Sequence, residues 1–147
     1  MKEDFNIHGS MTAVLTKPDG TVIVRRKDNL ILSAGFDFIA NAMCATTSRP
    51  NVMNVIGVGT GTTAAAASQT ALVNQLLAQT ATYAHTTSTK TFTLTTTFAA
   101  GKATGAITEA AVMNATSSGT LLDRVVFSVI NKGASDTLKV TFTFTMS

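Results

Sequence analysis

Thr137-Leu138-Lys139-Val140-Thr141-Phe142-Thr143-Phe144-Thr145-Met146 alternates without a break. Leu138, Val140, Phe142, Phe144 and Met146 share one face of an extended chain; Thr137, Lys139, Thr141, Thr143 and Thr145 share the other. A period of two is the spacing of a strand with one dry and one wet face. The polar turn Asn131–Asp136 leads back from it to Leu121–Ile130, which is apolar on both sides. There Val125, Phe127 and Val129 fall on one face, and Leu122, Val126 and Ile130 on the other. Such a strand is expected at a sheet centre, covered on both faces by a helix or a neighbouring subunit. The two strands read as a C-terminal pair joined by the turn.

Further out, Met11–Thr16 and Thr21–Arg26 flank Lys17-Pro18-Asp19-Gly20. Pro presets φ and Gly accepts positive φ, so the spacing predicts a hairpin. Ser33 reads as the N-cap of a short helix over 34–45, where Phe36, Ile39, Ala40 and Met43 recur at helical spacing. Val52–Val58 reads as a buried strand. Ser68 reads as the cap of a second helix, with Leu72, Val73, Leu76 and Leu77 on one side through Ala78. Thr80–Thr87 and Lys90–Phe98 form a second hairpin, and Gly105–Asn114 a further strand. The expected fold is all-β: one antiparallel β-sandwich over residues 11–147, with about eight strands and two short helices. Residues 1–10 read as an N-terminal arm or a first edge strand.

A chain of 147 residues supports one domain. Charged residues make up 13%, about half the usual share. In their place stand 27 threonines, whose β-branch suits a pleated surface. The net charge of +3 has one basic cluster, Arg25-Arg26-Lys27, followed at once by Asp28. With no Trp and no aromatic–basic interleaving, the pattern argues against nucleic-acid binding. The single Cys44 excludes an intramolecular disulfide. The opening residues carry no signal-peptide core, and no apolar run has the length of a membrane span, so a cytosolic origin is expected.

Gly59-Thr60-Gly61-Thr62-Thr63-Ala64 satisfies G-x-G-x-x-G/A. A dinucleotide site also needs an acidic residue about twenty positions on, and no Asp or Glu lies between Asp37 and Glu109. The stretch reads as a strand-to-helix turn. His8 and His85 are far apart and Cys44 sits among apolar residues, so no metal site, cofactor or nucleophile is expected. Glu109 lies among small and apolar neighbours, where a carboxylate is either exposed or paired. Arg124 on the following strand is its candidate partner in a structural ion pair. Arg25, Arg26 and Lys27 read as the solvated end of the first hairpin, or as a contact for an acidic partner surface.

Three motifs carry a resemblance. Ile56-Gly57-Val58-Gly59-Thr60-Gly61-Thr62-Thr63 runs into Ala-rich sequence and Thr70-Ala71-Leu72; Phe98–Ala110 includes Ala106-Ile107-Thr108-Glu109; and Asp123-Arg124-Val125-Val126-Phe127 leads to Asn131-Lys132-Gly133. Together, over most of residues 54–147, they resemble small virion structural proteins of tailed bacteriophages, described as capsid decoration (cement) proteins or as tail-fibre-like proteins. The resemblance implies a jelly-roll-like sandwich without enzymatic activity, assembled in the host bacterial cytoplasm. It implies a homo-oligomer, a dimer or trimer, that binds the outside of the major capsid protein lattice and stabilises the shell. A tail-fibre, adaptor or baseplate component is the alternative. No catalytic residue is implied.

Overall fold

In the computed structural model, residues 3–147 are described; the part of the expected arm formed by Met1 and Lys2 lies outside them. They form nine strands and one helix in the order β1 (Ile7–Thr16), β2 (Val22–Ile31), α1 (Ser33–Cys44), β3 (Val55–Gly59), β4 (Gln75–Thr80), β5 (Thr82–His85), β6 (Thr91–Phe98), β7 (Gly105–Met113), β8 (Asp123–Lys132) and β9 (Thr137–Met146). The all-β expectation holds. All strands belong to one antiparallel sheet of order β4-β3-β7-β8-β2-β1-β9-β6-β5.

The sheet curls on itself. Its outermost strands, β4 and β5, are consecutive in sequence with only Ala81 between them. The remaining gap lies between β4 and β6. Side chains bridge it: Gln79 Nε2 donates to Thr96 Oγ1 (2.7 Å) and to the carbonyl of Thr97 (2.9 Å), and Thr96 Oγ1 donates to the carbonyl of Thr80 (3.1 Å). Inside the curl, Met11, Ala13 and Leu15 of β1 meet Phe98 of β6, Phe142 and Phe144 of β9, Val58 of β3 and Val125 of β8 in one core. The outer face of β9 and β6 aligns Thr145 with Thr91, Thr143 with Thr93 and Thr141 with Thr95, which accounts for much of the threonine content.

β9 follows its alternation, with Leu138, Val140, Phe142 and Phe144 buried. It does not pair with β8. Two strands, β2 and β1, lie between them, so the C-terminal pair is not a hairpin. The alternation specifies which face is dry, not which strand is the neighbour. β8 is also less covered than expected, because Val129 is 42% exposed. The β7–β8 register slips here: Ile107 pairs with Ile130 and Glu109 with Val126, so Thr108 alone stands opposite Phe127, Ser128 and Val129. This bulge turns Ser128 and Val129 outward. The strands buried on both faces are β3, along its whole length, and β7, from Ile107 to Met113.

Three further expectations are corrected. The second helix does not form: residues 60–74 are irregular, and Gln75–Thr80 is strand β4. The helix N-cap is Leu32, with no side-chain capping bond, rather than Ser33, and Cys44 is exposed at the other end. Ile7–Ser10 belong to β1; Gly9 and Ser10 lie between β2 and β9, and only Ile7 and His8, which pair with β9 alone, keep an edge position. No helix among the described residues is long and apolar enough to cross a membrane.

Candidate functional site

Glu109 lies on β7 just past the β8 bulge, and its side chain leaves the main core for the opposite face of the sheet. Gly57 and Gly59 of β3, Ala111 and Met113 of β7, and the irregular segment 60–74 enclose that face. Arg124 lies two residues along β8 from Val126, the register partner of Glu109, so the two side chains are diagonal neighbours on that face. Arg124 Nε donates to Glu109 Oε2 (2.9 Å), and Nη2 lies 2.8 Å from the same oxygen. Neither side chain is exposed to solvent.

The carboxylate has further donors. Oε1 accepts the backbone N–H groups of Gly61 (3.0 Å) and Asn74 (2.7 Å), and Oε2 accepts that of Val73 (3.0 Å). Arg124 Nη1 in turn donates to the carbonyl of Thr63 (2.8 Å) and to Gln69 Oε1 (3.0 Å). Thr108 Oγ1 donates to the carbonyl of Gly61 (2.8 Å). Burial alone pushes the Glu109 carboxyl up, but the N–H groups of Asn74 and Val73, the guanidinium and the N–H of Gly61 outweigh it and hold it below the ordinary value. The charged form is therefore the native one.

This geometry explains the glycine-rich stretch without a phosphate. A Cβ on Gly59 would lie 2.3 Å from the carbonyl oxygen of Asn74 and 2.5 Å from Glu109 Oε1. A Cβ on Gly61 would lie 2.5 Å from Val73 Cβ and 2.6 Å from Glu109 Oε1. The loop lacks side chains because it closes on a carboxylate supplied by the protein itself. The expected ion pair is thus present, and its chemistry is that of an anchor.

Arg25, Arg26 and Lys27 lie within β2 rather than at the hairpin end, and they divide. β2 pairs with β8 only at Leu30–Arg124 and Ile31–Asp123, then splays away. Arg25 crosses the opening: its Nε donates to the carbonyl of Ser128 (3.2 Å) and its Nη2 to that of Val129 (3.3 Å), both in the bulge. Arg26 and Lys27 are exposed. His8 and His85 are on different strands; His8 Nε2 lies 3.5 Å from Asp28 Oδ1, and His85 Nδ1 lies 2.8 Å from the carbonyl oxygen of Thr91. No group of three or more His, Cys, Asp or Glu side chains is placed to hold a metal ion among the described residues.

Sequence reasoning missed Asp123. It is fully buried where β2 meets β8, with Oδ1 accepting the N–H of Val112 (2.8 Å) and Oδ2 accepting Asn29 Nδ2. Burial pushes its carboxyl up to about 7 against the pull of those two donors. A carboxylate between the apolar pairs Leu121–Leu122 and Val125–Val126, with Glu109 already the partner of Arg124, was the available signal. Lys132 was missed too; it is buried, and its Nζ donates to the carbonyl of Ala99 (3.1 Å).

An apolar opening lies on the surface beside β5. A row of aromatic rings runs outward from the core: Phe142 to Phe144 (centroids 6.3 Å apart), Phe144 to Phe92 (5.0 Å) and Phe92 to Tyr83 on β5 (6.4 Å). The row ends at a cavity of about 310 Å³ lined by Val52, Met53, Asn54, Tyr83, Phe92 and Leu94. β5 terminates the sheet there, and its far side has no strand partner among the described residues. No known protein family, characterised protein or solved structure matches the chain.

Proposed function

We propose that this chain is a structural protein of a tailed-bacteriophage virion, a decoration (cement) protein bound to the outside of the major capsid protein lattice. On this reading it is a homo-oligomer that stabilises the shell by surface complementarity and carries out no reaction. The single curled antiparallel sheet then takes the place of the jelly-roll-like sandwich expected for such proteins. The observation that carries the proposal is the division of labour in the molecule. Its buried ion pair is consumed in holding the loop 60–74, whereas the β5 edge and the cavity beside it stay open. Open edges and apolar recesses are how small β-domains join other chains. The motif resemblance supplies the identity of the lattice.

The test is direct. Purified protein is added to expanded capsids stripped of decoration. Co-sedimentation at a fixed ratio to the major capsid protein, with shells that resist heat or osmotic rupture better, supports the reading. Failure to bind, or shells equally robust without the protein, overturns it. Labelled protein found on tails instead would move it to the fibre, adaptor or baseplate class.

A further inference from the structure

The open β5 edge and the cavity beneath it define the chemistry of an occupant. An unpaired strand edge presents backbone N–H and C=O groups, which recognise another extended backbone. Alternate residues of an added strand point to one face, so one of its side chains would enter the cavity. The cavity ends an aromatic row and its lining is largely apolar. At about 310 Å³ it lies at the small end of ligand pockets, a fit for one side chain. The side chain that continues the row is aromatic.

This chain itself exposes such a group. Phe5 is 67% exposed in the irregular segment before β1, and Phe36, also exposed, is on helix α1 and cannot add a strand. The residues before Phe5 are Glu3 and Asp4. The region that bears the edge is complementary in charge: between Asp37 and Glu109 the chain has no carboxylate, and Lys90 lies in the turn between β5 and β6. Phe5 cannot reach the cavity of its own chain. Asn6 is fixed beside Ser147 by two backbone bonds of 2.7 and 2.9 Å. β1 is separated from β5 by β9 and β6, roughly 14 Å at the usual strand spacing.

We propose that the edge of β5 accepts residues Glu3–Phe5 of a second copy of this chain as an added strand, with Phe5 of that copy seated in the cavity beside Tyr83. The contact is heterologous, joining an arm to a groove. It either closes a ring, including a reciprocal pair, or propagates. It concerns self-association only and is tested on the isolated protein, apart from any capsid.

Sedimentation of the full chain is compared with two variants of exposed side chains, Phe5→Asp and Tyr83→Asp. The wild type is expected to associate in a concentration-dependent way, and each variant alone to sediment as a monomer. An equimolar mixture is expected to form a one-to-one heterodimer, because one variant keeps the groove and the other keeps the arm. A monomeric wild type, a variant that associates as the wild type does, or a mixture that stays monomeric overturns the proposal. Circular dichroism of each variant must match the wild type; Phe5→Ser and Tyr83→Ser replace any variant that does not.

Discussion

Arg124 meets Glu109 diagonally across the β7–β8 ladder, with its Nε 2.9 Å and its Nη2 2.8 Å from one carboxylate oxygen and both side chains removed from solvent. The pair does more than cancel charge. Glu109 gathers the N–H groups of Gly61, Val73 and Asn74, and Arg124 and Thr108 add bonds to Thr63, Gln69 and Gly61, so a loop that makes few regular backbone bonds is tied to the sheet mainly through side chains. Leu72, Val55, Ala78, Ala111 and Met113 then form a small second core under that loop.

Glu109→Leu is therefore expected to be more damaging than Arg124→Met. The first leaves a buried guanidinium and three backbone donors without their acceptor; the second takes the cation from the carboxylate and the donor from the Thr63 carbonyl and Gln69 Oε1, but leaves Glu109 its three N–H partners. Breaking a buried pair costs about 3–5 kcal/mol, and each orphaned donor adds about 1–3 kcal/mol. Urea unfolding of the two variants measures the difference. Equal stabilities would mean that the loop N–H groups find water instead.

Acid should weaken the same anchor. The Glu109 carboxyl is held below its ordinary 4.5 in the folded chain. Its contribution is then fully present above pH 4.5 and is lost as the pH falls through the lower, folded value. Hydrogen exchange of the Gly61, Val73 and Asn74 amides, followed downward from pH 5, should accelerate ahead of the β9 amides. Simultaneous loss of protection would show that the loop has no independent opening.

Asp123 has the opposite sign. Its carboxyl is raised from 3.8 to about 7, so between those values the folded chain holds a proton that the unfolded chain has released. Stability from this group is complete below pH 3.8 and declines as the pH rises to about 7. The full swing is on the order of 4 kcal/mol. Asp123→Asn should flatten the slope between pH 4 and pH 7 and gain most over the wild type at pH 8. The amide oxygen still accepts from Val112, and its NH₂ can face Asn29 Oδ1, which has no partner in the present arrangement. Denaturation midpoints at pH 5 and pH 8 for both proteins decide it.

Local features of this fold were legible in the sequence, and most long-range ones were not. The alternation of Thr137–Met146 specified a half-buried strand because side-chain direction is local. Lys17-Pro18-Asp19-Gly20 specified a hairpin because turn chemistry is local too. Leu72, Val73, Leu76 and Leu77 have helical spacing, yet their segment folds differently because the N–H groups of Val73 and Asn74 go to Glu109, more than thirty residues away. The Glu109–Arg124 pair was legible from a carboxylate among apolar residues with a cation on the next strand. The partner strands of β8 and β9, and the bulge that frees Ser128 and Val129, depend on how the sheet curls. Periodicity carries no record of that.

Gly61→Ala and Gly20→Ala make a controlled pair. Gly20 has φ +88° and open space around its Cβ position, so alanine there costs only backbone strain, of order 1 kcal/mol. At Gly61 the added carbon would meet Val73 and Glu109 at 2.5 and 2.6 Å, an overpacking of about 1–3 kcal/mol. Only the Gly61 variant should also lower the protection of the Val73 and Asn74 amides.

The basic cluster yields the last prediction, because its members differ in what they hold. Arg25→Ala removes two bonds across the β2–β8 opening, from Nε to the Ser128 carbonyl and from Nη2 to that of Val129. Both acceptors belong to exposed residues that water reaches, so the expected loss is modest, about 0.5–1.5 kcal/mol. Arg26→Glu and Lys27→Glu change exposed side chains with no ion pair or hydrogen bond among the described residues, and stability should stay within about 0.5 kcal/mol of the wild type. If β2 faces an acidic capsid surface, the two reversals weaken shell binding and reduce its dependence on salt, whereas Arg25→Ala loses stability first. Binding isotherms on decoration-free shells at two ionic strengths separate the cases. Reversal variants that bind like the wild type at both would exclude this strand from the contact.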